Sequence, residues 1–262
     1  MTSFHMTLVR HGTPNAKRRI PKTLGNQDNS LSRKGYYQAN LLAQKLKSEK
    51  FTHIYCSDIT KAKETAMVIA KQNTTCASLP IHEDPRLEEL RSLCCSEESI
   101  NSSLLNKLET LEDIRHRAED FFLEICDAML HRSEHAQSLD KDDEHCESTS
   151  RNSCDVDITE TIQNGLGEDH VLVVSHKGLI REMLRYFSCE LGCQLPRRSG
   201  LRSNWDSSYT GVSVFKVTIE RTEDLFNSIH IECLQLNDTS HLSKRSNDSC
   251  NKIGECTMAT SK

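Results

Sequence analysis

The segment His170-Val-Leu-Val-Val-Ser175 constrains the fold more than any other. Four aliphatic residues in a row, Val171 to Val174, leave the strand no polar side to turn toward water. Such a strand belongs inside a parallel sheet covered by helices on both faces. The rest of the chain alternates accordingly. Met6 to Arg10 reads as a first strand. A helix follows from Ser32 to about Ser48, with Ala39, Leu42, Ala43 and Leu46 on one face. "HIYCS" (53–57) is a second strand. Asp58 is placed to cap the next helix, "ITKAKETAMVIAKQ", whose Ala62, Thr65, Ala66 and Ile69 point inward. "PIHED" (80–84) is a short third strand, and 99–108 a weak helix. Thr110 and Asp113 form a capping pair for "LEDIRHRAEDFFLEICDAMLH". "GLIREMLRYF" is the helix after Ser175. "GVSVFKVTI" (211–219) and "IHIECLQL" (229–236) alternate and predict an antiparallel pair at a sheet edge. The expected fold is α/β: a three-layer sandwich, mostly parallel sheet with helices on both faces and an antiparallel edge.

Hydrophobic residues make up 36% of the 262, low for a domain of this size, so part of the chain is expected outside the core. Residues 133–168 fit that description, with ten acids, two bases and eight scattered hydrophobics. Such a segment buries too little to offset the entropy of ordering it. Its charge of −8 against −5 for the whole chain leaves +3 for the remainder. The expectation is one domain over 1–237 carrying an acidic, disordered insert at 133–168, then a disordered tail at 238–262.

Twelve cysteines could suggest a disulfide scaffold. The N-terminus, however, lacks the apolar run of a secretory signal, and a chain this long needs no staples. Reduced thiols in a cytoplasmic protein are expected. Neither Cys94-Cys95 nor Cys189/Cys193 makes a CxxC with a matching second pair, so no cysteine zinc site is expected. No segment approaches a membrane span.

Three strand ends carry chemistry. The first strand ends Arg10-His11-Gly12, the second Ser57-Asp58 with Lys61 one turn into its helix, and the apolar strand Ser175-His176-Lys177-Gly178. In an open parallel sheet, ligands bind beyond the carboxyl ends of the strands. Two histidines 165 residues apart in sequence should therefore meet beside an arginine and a lysine. Backbone N–H groups at helix starts after Gly12 and Gly178 should add anion affinity. The result reads as a phosphate pocket with a histidine in its floor, the histidine kept neutral by Arg10 and Lys61. Lys63 competes with Lys61 for the role, and Glu88 with Glu89 for that of a nearby acid. Lys17-Arg18-Arg19 reads as substrate steering, a solvated loop, or a nuclear-import or nucleic-acid patch. No aromatic interleaves with it, which argues against nucleic acid.

"LVRHG", "LSRKGYYQA", "YCSDITKAKETA", "RLEEL" and "VVSH", in that order and spacing, resemble the histidine phosphatase superfamily (phosphoglycerate-mutase-like). "FTHIYCSD", "EDHVLVVSH", "LGCQLP", "TGVSVF" and "HIECLQLND" resemble its fructose-2,6-bisphosphatase-like members more closely. The resemblance spans residues 5 to about 241 and breaks at 91–107 and within 133–168. It implies His11 as nucleophile, Glu89 as proton donor, and Arg10, Lys61 and His176 as phosphate-binding residues. It implies a small phosphorylated metabolite as partner, and no metal or organic cofactor. The chain departs from the family at Thr13-Pro14, at Lys17 (with Asn15 able to shift into that role), at Lys61 where an arginine is usual, and at Lys177 where a glycine is usual. Three functions are compatible: a phosphatase, which is favoured, a phosphate-binding pseudoenzyme with little turnover, and a phosphomutase.

Overall fold

The computed structural model describes residues 1–15, 29–75, 78–89, 109–139, 168–196, 205–221 and 228–243, with the side chains of 134–139 excepted. Among them, six strands form one sheet. They are β1 (Thr2–Arg10), β2 (His53–Cys56), β3 (Ile81–Glu83), β4 (Asp169–Ser175), β5 (Val212–Glu220) and β6 (Ser228–Asp238), in the order β3-β2-β4-β1-β5-β6. The β4 strand lies between β2 and β1 and runs parallel to both. β5 joins β1 antiparallel, and β6 closes the edge antiparallel to β5.

Among the described residues, four helices cover the sheet: α1 (Arg33–Lys45), α2 (Thr60–Gln72), α3 (Leu111–Leu139) and α4 (Lys177–Cys189). Strand alternation divides the core between the two faces. Val171 and Val173 of β4 pack with Phe4, Met6 and Leu8 of β1 against α3 and α4, through Phe121, Phe122, Leu184 and Phe187. Leu172 and Val174 turn the other way, with Val9, onto Leu42 and Ala43 of α1 and Ala62, Ala66 and Ile69 of α2. Burying one such aliphatic side chain contributes about 1.5–3 kcal/mol. A charge anywhere in Val171–Val174 therefore has no solvated side to escape to.

The caps show how local sequence starts the helices. Ser32 Oγ accepts from the Gly35 amide at 3.0 Å and opens α1. Thr110 and Asp113 cap α3 reciprocally, Thr110 N–H donating to the Asp113 carboxylate at 2.7 Å and Asp113 N–H to Thr110 Oγ1 at 3.1 Å. Asp58 does not cap α2. The cap residue is Ile59, and its N–H is taken by Ser57 Oγ at 3.2 Å. The α3 backbone runs on through Leu139, seven residues into the segment expected to be disordered, and Glu168 holds Ser3, His5 and Lys216 at the start of β4. β6 likewise runs through Asp238, past the expected start of the tail, and Ser240–Leu242 add a 3₁₀ turn. The 99–108 helix, the centre of the acidic segment and the rest of the tail lie outside the described residues.

Among the described residues no helix is long and apolar enough to cross a membrane. Cys56, Cys126, Cys189, Cys193 and Cys233 are free thiols, and Cys56, Cys126 and Cys193 are buried.

Candidate active site

The carboxyl ends of β1, β2 and β4 lie side by side. Arg10 is in register with Ser175, and Cys56 with Val174. The next residue of each strand enters the pocket: His11 from β1, Ser57 from β2, His176 from β4.

His11 is 2% exposed. Its Nδ1 lies 2.7 Å from the Gly12 carbonyl oxygen. A carbonyl can only accept, so Nδ1 carries the ring proton, and Nε2 keeps a free lone pair. Burial first, then Lys61, against the Gly12 hydrogen bond and together with Arg10, push the His11 pKa down to about 3. The neutral histidine expected from charge alone is thus neutral chiefly because it is desolvated.

The loop behind His11 is held without slack. Gly12 N–H donates to Thr65 Oγ1 at 3.1 Å, and Thr65 Oγ1 donates to the Lys61 carbonyl at 2.8 Å. The Thr13 amide and hydroxyl both reach Gln38 Oε1, at 3.0 and 2.8 Å. A Cβ on Gly12 would lie 2.7 Å from the Gly35 oxygen, and one on Gly35 would lie 2.2 Å from the Thr13 oxygen. Only two glycines let α1 and the histidine loop approach this closely.

His176 is completely buried. Its Nε2 is 2.9 Å from Ser57 Oγ, its ring centroid 4.9 Å from that of His11. Ser57 Oγ already accepts the Ile59 N–H, leaving its own proton free to go to Nε2. The His176 proton then sits on Nδ1, which is buried and has no hydrogen-bond partner. Burial first, then His11, Lys61, Arg10 and Arg117, push its pKa down to about 2.

Arg10 donates through Nη1 to the Ser207 carbonyl at 2.7 Å, and its guanidinium lies 3.9 Å from the Tyr209 ring centroid. Its Nε is buried without a partner. Tyr209 also approaches His11, centroid to centroid 5.6 Å. Asn237 fixes this loop: its Oδ1 accepts from Ser208 N–H at 2.8 Å, and its own N–H donates to Ser213 Oγ at 2.8 Å.

Lys61 faces the pocket. Its pKa is lowered by burial, raised by Glu89 and lowered by Arg10. Lys63 instead pairs with Glu83 at 2.8 Å on the β3 side, which separates the two lysines. Glu89 stands at the mouth, Oε1 accepting from Gly178 N–H at 2.9 Å and Oε2 4.0 Å from His176 Nδ1. Glu88 turns toward Asp58, whose pKa is raised by burial and by this second carboxyl group. The segment carrying both acids is pinned by Ser175 Oγ on the Leu87 carbonyl (2.7 Å) and by Arg117 Nη1 on the Arg86 carbonyl (2.5 Å).

His11, Glu89, Arg10, Lys61 and His176 are therefore brought together. The expected amide anion site is not present in that form. Gly178 N–H is taken by Glu89 and Gly12 N–H by Thr65, and no helix starts at Gly12; α1 begins at Arg33. Lys177 pairs with Asp206 at 3.0 Å. Lys17, Arg18 and Arg19 lie outside the described residues. Ser57 was visible in the sequence only as a strand end, and Tyr209 and Ser207 carried no local signal at all.

The histidine phosphatase superfamily (branch 1) profile matches residues 6–135. The fructose-2,6-bisphosphatase TIGAR of Bos taurus is 31% identical over 248 residues, covering 84% of this chain and 90% of that one. TIGAR B of Danio rerio is 29% identical over 274 residues, covering 94% and 99%. Among solved structures, one titled mycobacterial hydrolase 2 superposes with a TM-score of 0.53 at 18% identity, over 90% of this chain and 91% of that one.

Proposed function

The chain belongs to the histidine phosphatase superfamily, and on that premise we infer that it hydrolyses a small sugar phosphate, fructose 2,6-bisphosphate, through a phosphohistidine. His11 Nε2 attacks phosphorus with its free lone pair while the bond from phosphorus to the ester oxygen breaks. Glu89, in its acid form, gives that oxygen its proton. Water then attacks the phosphohistidine, Glu89 takes the water's proton, and the electrons of the P–N bond return to Nε2. Arg10, Lys61 and His176 hold the equatorial oxygens, where charge accumulates in phosphoryl transfer.

One observation carries this reading. Two donors, Arg10 Nε and His176 Nδ1, are buried without partners in the same pocket as a histidine with a free Nε2. Unsatisfied buried donors are costly, and a phosphoryl group supplies acceptors to both. Lysine at position 61 keeps the charge but lacks arginine's bidentate fork, which fits slower turnover without abolishing it. The substrate assignment rests on the names of the TIGAR relatives, which match over most of their length.

The test is incubation with fructose 2,6-bisphosphate radiolabelled at the 2-phosphate. Acid-labile label on the protein and release of inorganic phosphate are expected, both lost in His11→Ala. Label without release points to a stalled enzyme or a mutase. Neither label nor release across a panel of sugar phosphates overturns hydrolysis.

A further inference from the structure

We propose that His11, His176 and Glu89 form an inhibitory site for a divalent zinc ion, which excludes the phosphoryl group. Each of the three offers one ligating atom, and these atoms lie within 4.8 Å of one another. Two imidazoles and a carboxylate with an open fourth position are a donor set that zinc favours. The ligating atoms, up to 4.8 Å apart, would each have to draw in by up to about 0.6–0.8 Å to reach ligating distances near 2.0–2.2 Å. Glu89 can supply much of that movement, because its side chain is one-third exposed at the pocket mouth.

The surroundings of the two histidines strengthen the case. Metal-bound histidines are usually oriented by a hydrogen bond to the ring nitrogen that does not touch the metal. Both are held that way here, His11 Nδ1 by the Gly12 carbonyl and His176 Nε2 by Ser57 Oγ. The nitrogens left over are His11 Nε2 and the buried, unpartnered His176 Nδ1. Ligation needs a bare Nδ1 on His176, with the proton moved to Nε2 and donated to Ser57 Oγ, which can accept as well as donate. Phosphoryl binding needs the opposite tautomer. Zinc also occupies the lone pair of the nucleophile, so the two occupants exclude each other twice over.

Charge sets the strength. Arg10 and Lys61 repel a cation, and the nearby carboxylates of Glu89 and Asp206 offset Arg10's charge only in part. The site should therefore be weaker than a structural zinc site, and removal of Lys61 should move the two ligands in opposite directions.

Binding needs no turnover, so its test is independent of the hydrolase reading. Cobalt(II), as a spectroscopic stand-in for zinc, is titrated into the full chain. One equivalent should give visible ligand-field bands of a tetrahedral nitrogen–oxygen site, without the near-ultraviolet thiolate band that binding at cysteines produces. Zinc should displace it, and vanadate should compete. His11→Ala and Glu89→Gln should each weaken binding by more than the roughly 10- to 100-fold that loss of a ligand's supporting hydrogen bond costs. Glu89→Gln, at the pocket mouth, serves where the buried variant fails to fold. Lys61→Met should tighten zinc while weakening vanadate. A thiolate band as the sole signal, or binding unchanged in both ligand variants, overturns the proposal.

Discussion

Lys61→Met tests the pocket's electrostatics most sharply, because activity and stability should move apart. The ammonium is half-buried, and burial lowers its pKa, so the folded protein bears a desolvation cost for it. Methionine fills a similar volume without that cost, and the folded state should be as stable or slightly more so. A hydrogen bond from a charged donor to a phosphoryl oxygen contributes roughly 1.5–3 kcal/mol. At about 1.36 kcal/mol per decade, kcat/KM should fall roughly 10- to 100-fold. The pH profile should keep its shape, since burial outranks Lys61 in lowering the His11 pKa. Lys63→Met is the control: its partner is Glu83 on β3, a partly exposed pair of the solvent-screened kind that contributes little. The assay is kcat/KM from pH 4 to 8 on fructose 2,6-bisphosphate and on an aryl phosphate, with thermal denaturation alongside. A Lys61→Met enzyme within about twofold of wild type, or a Lys63→Met enzyme equally impaired, refutes the assignment of Lys61 to the phosphoryl group.

Three further outcomes are expected. His11 and His176 titrate near 3 and 2 in the folded state against 6.5 in their ordinary state. The stability they contribute is complete above about pH 6.5 and is lost as pH falls toward the folded values, by roughly 1.4 kcal/mol per pH unit for each. Burial holds His170 and His241 down to about 4 as well, so chemical denaturation at pH 7.5 and 5.5 should show the summed loss, and a folded His11→Ala variant should remove only about a quarter of it. Ser57→Ala leaves His176 Nε2 buried without its partner and should cost about 1–3 kcal/mol, with a fall in kcat/KM that Ser57→Thr partly restores. Gly35→Ala places a Cβ 2.2 Å from the Thr13 oxygen; a loss of about 1–3 kcal/mol in urea denaturation is expected, and a neutral result would mean that α1 can back away from the histidine loop.

The fold was legible where a single stretch decides its own environment. Val171–Val174 has no polar face, so its central, parallel place follows from four residues. The same holds for the capping pair Thr110 and Asp113. The end of α3 was not legible, because a polar, acidic composition says little about helicity when the residues themselves favour helix. Asp58 was misassigned as a cap because α2 begins one residue later than the sequence suggests, at Thr60, with Ile59 in the cap position. In the pocket, the strand-end rule brought Arg10, His11 and His176 together correctly. It could not show that the Gly12 and Gly178 amides are already satisfied, since their acceptors, Thr65 and Glu89, come from other parts of the chain. Tyr209 and Ser207 were invisible for the same reason. They reach Arg10 only through the β1–β5 pairing and a loop that Asn237 holds from β6.

The place of β1 in the sheet has a consequence for how the protein is made. Its two neighbours, β4 and β5, begin 167 and 210 residues after its own first residue, Thr2, at Asp169 and Val212. The strand that leads into His11 thus leaves the ribosome with no partner. At about 5–20 residues per second, it waits on the order of ten seconds or more before β4 emerges, with Phe4, Met6, Leu8 and Val9 still uncovered. Arg10 waits longer still, for Ser207 and Tyr209, and their loop for Asn237. The first-made residues of the pocket are completed by nearly the last described ones. A truncated or stalled nascent chain therefore carries His11 without an assembled pocket, together with an apolar strand that a holding chaperone can bind.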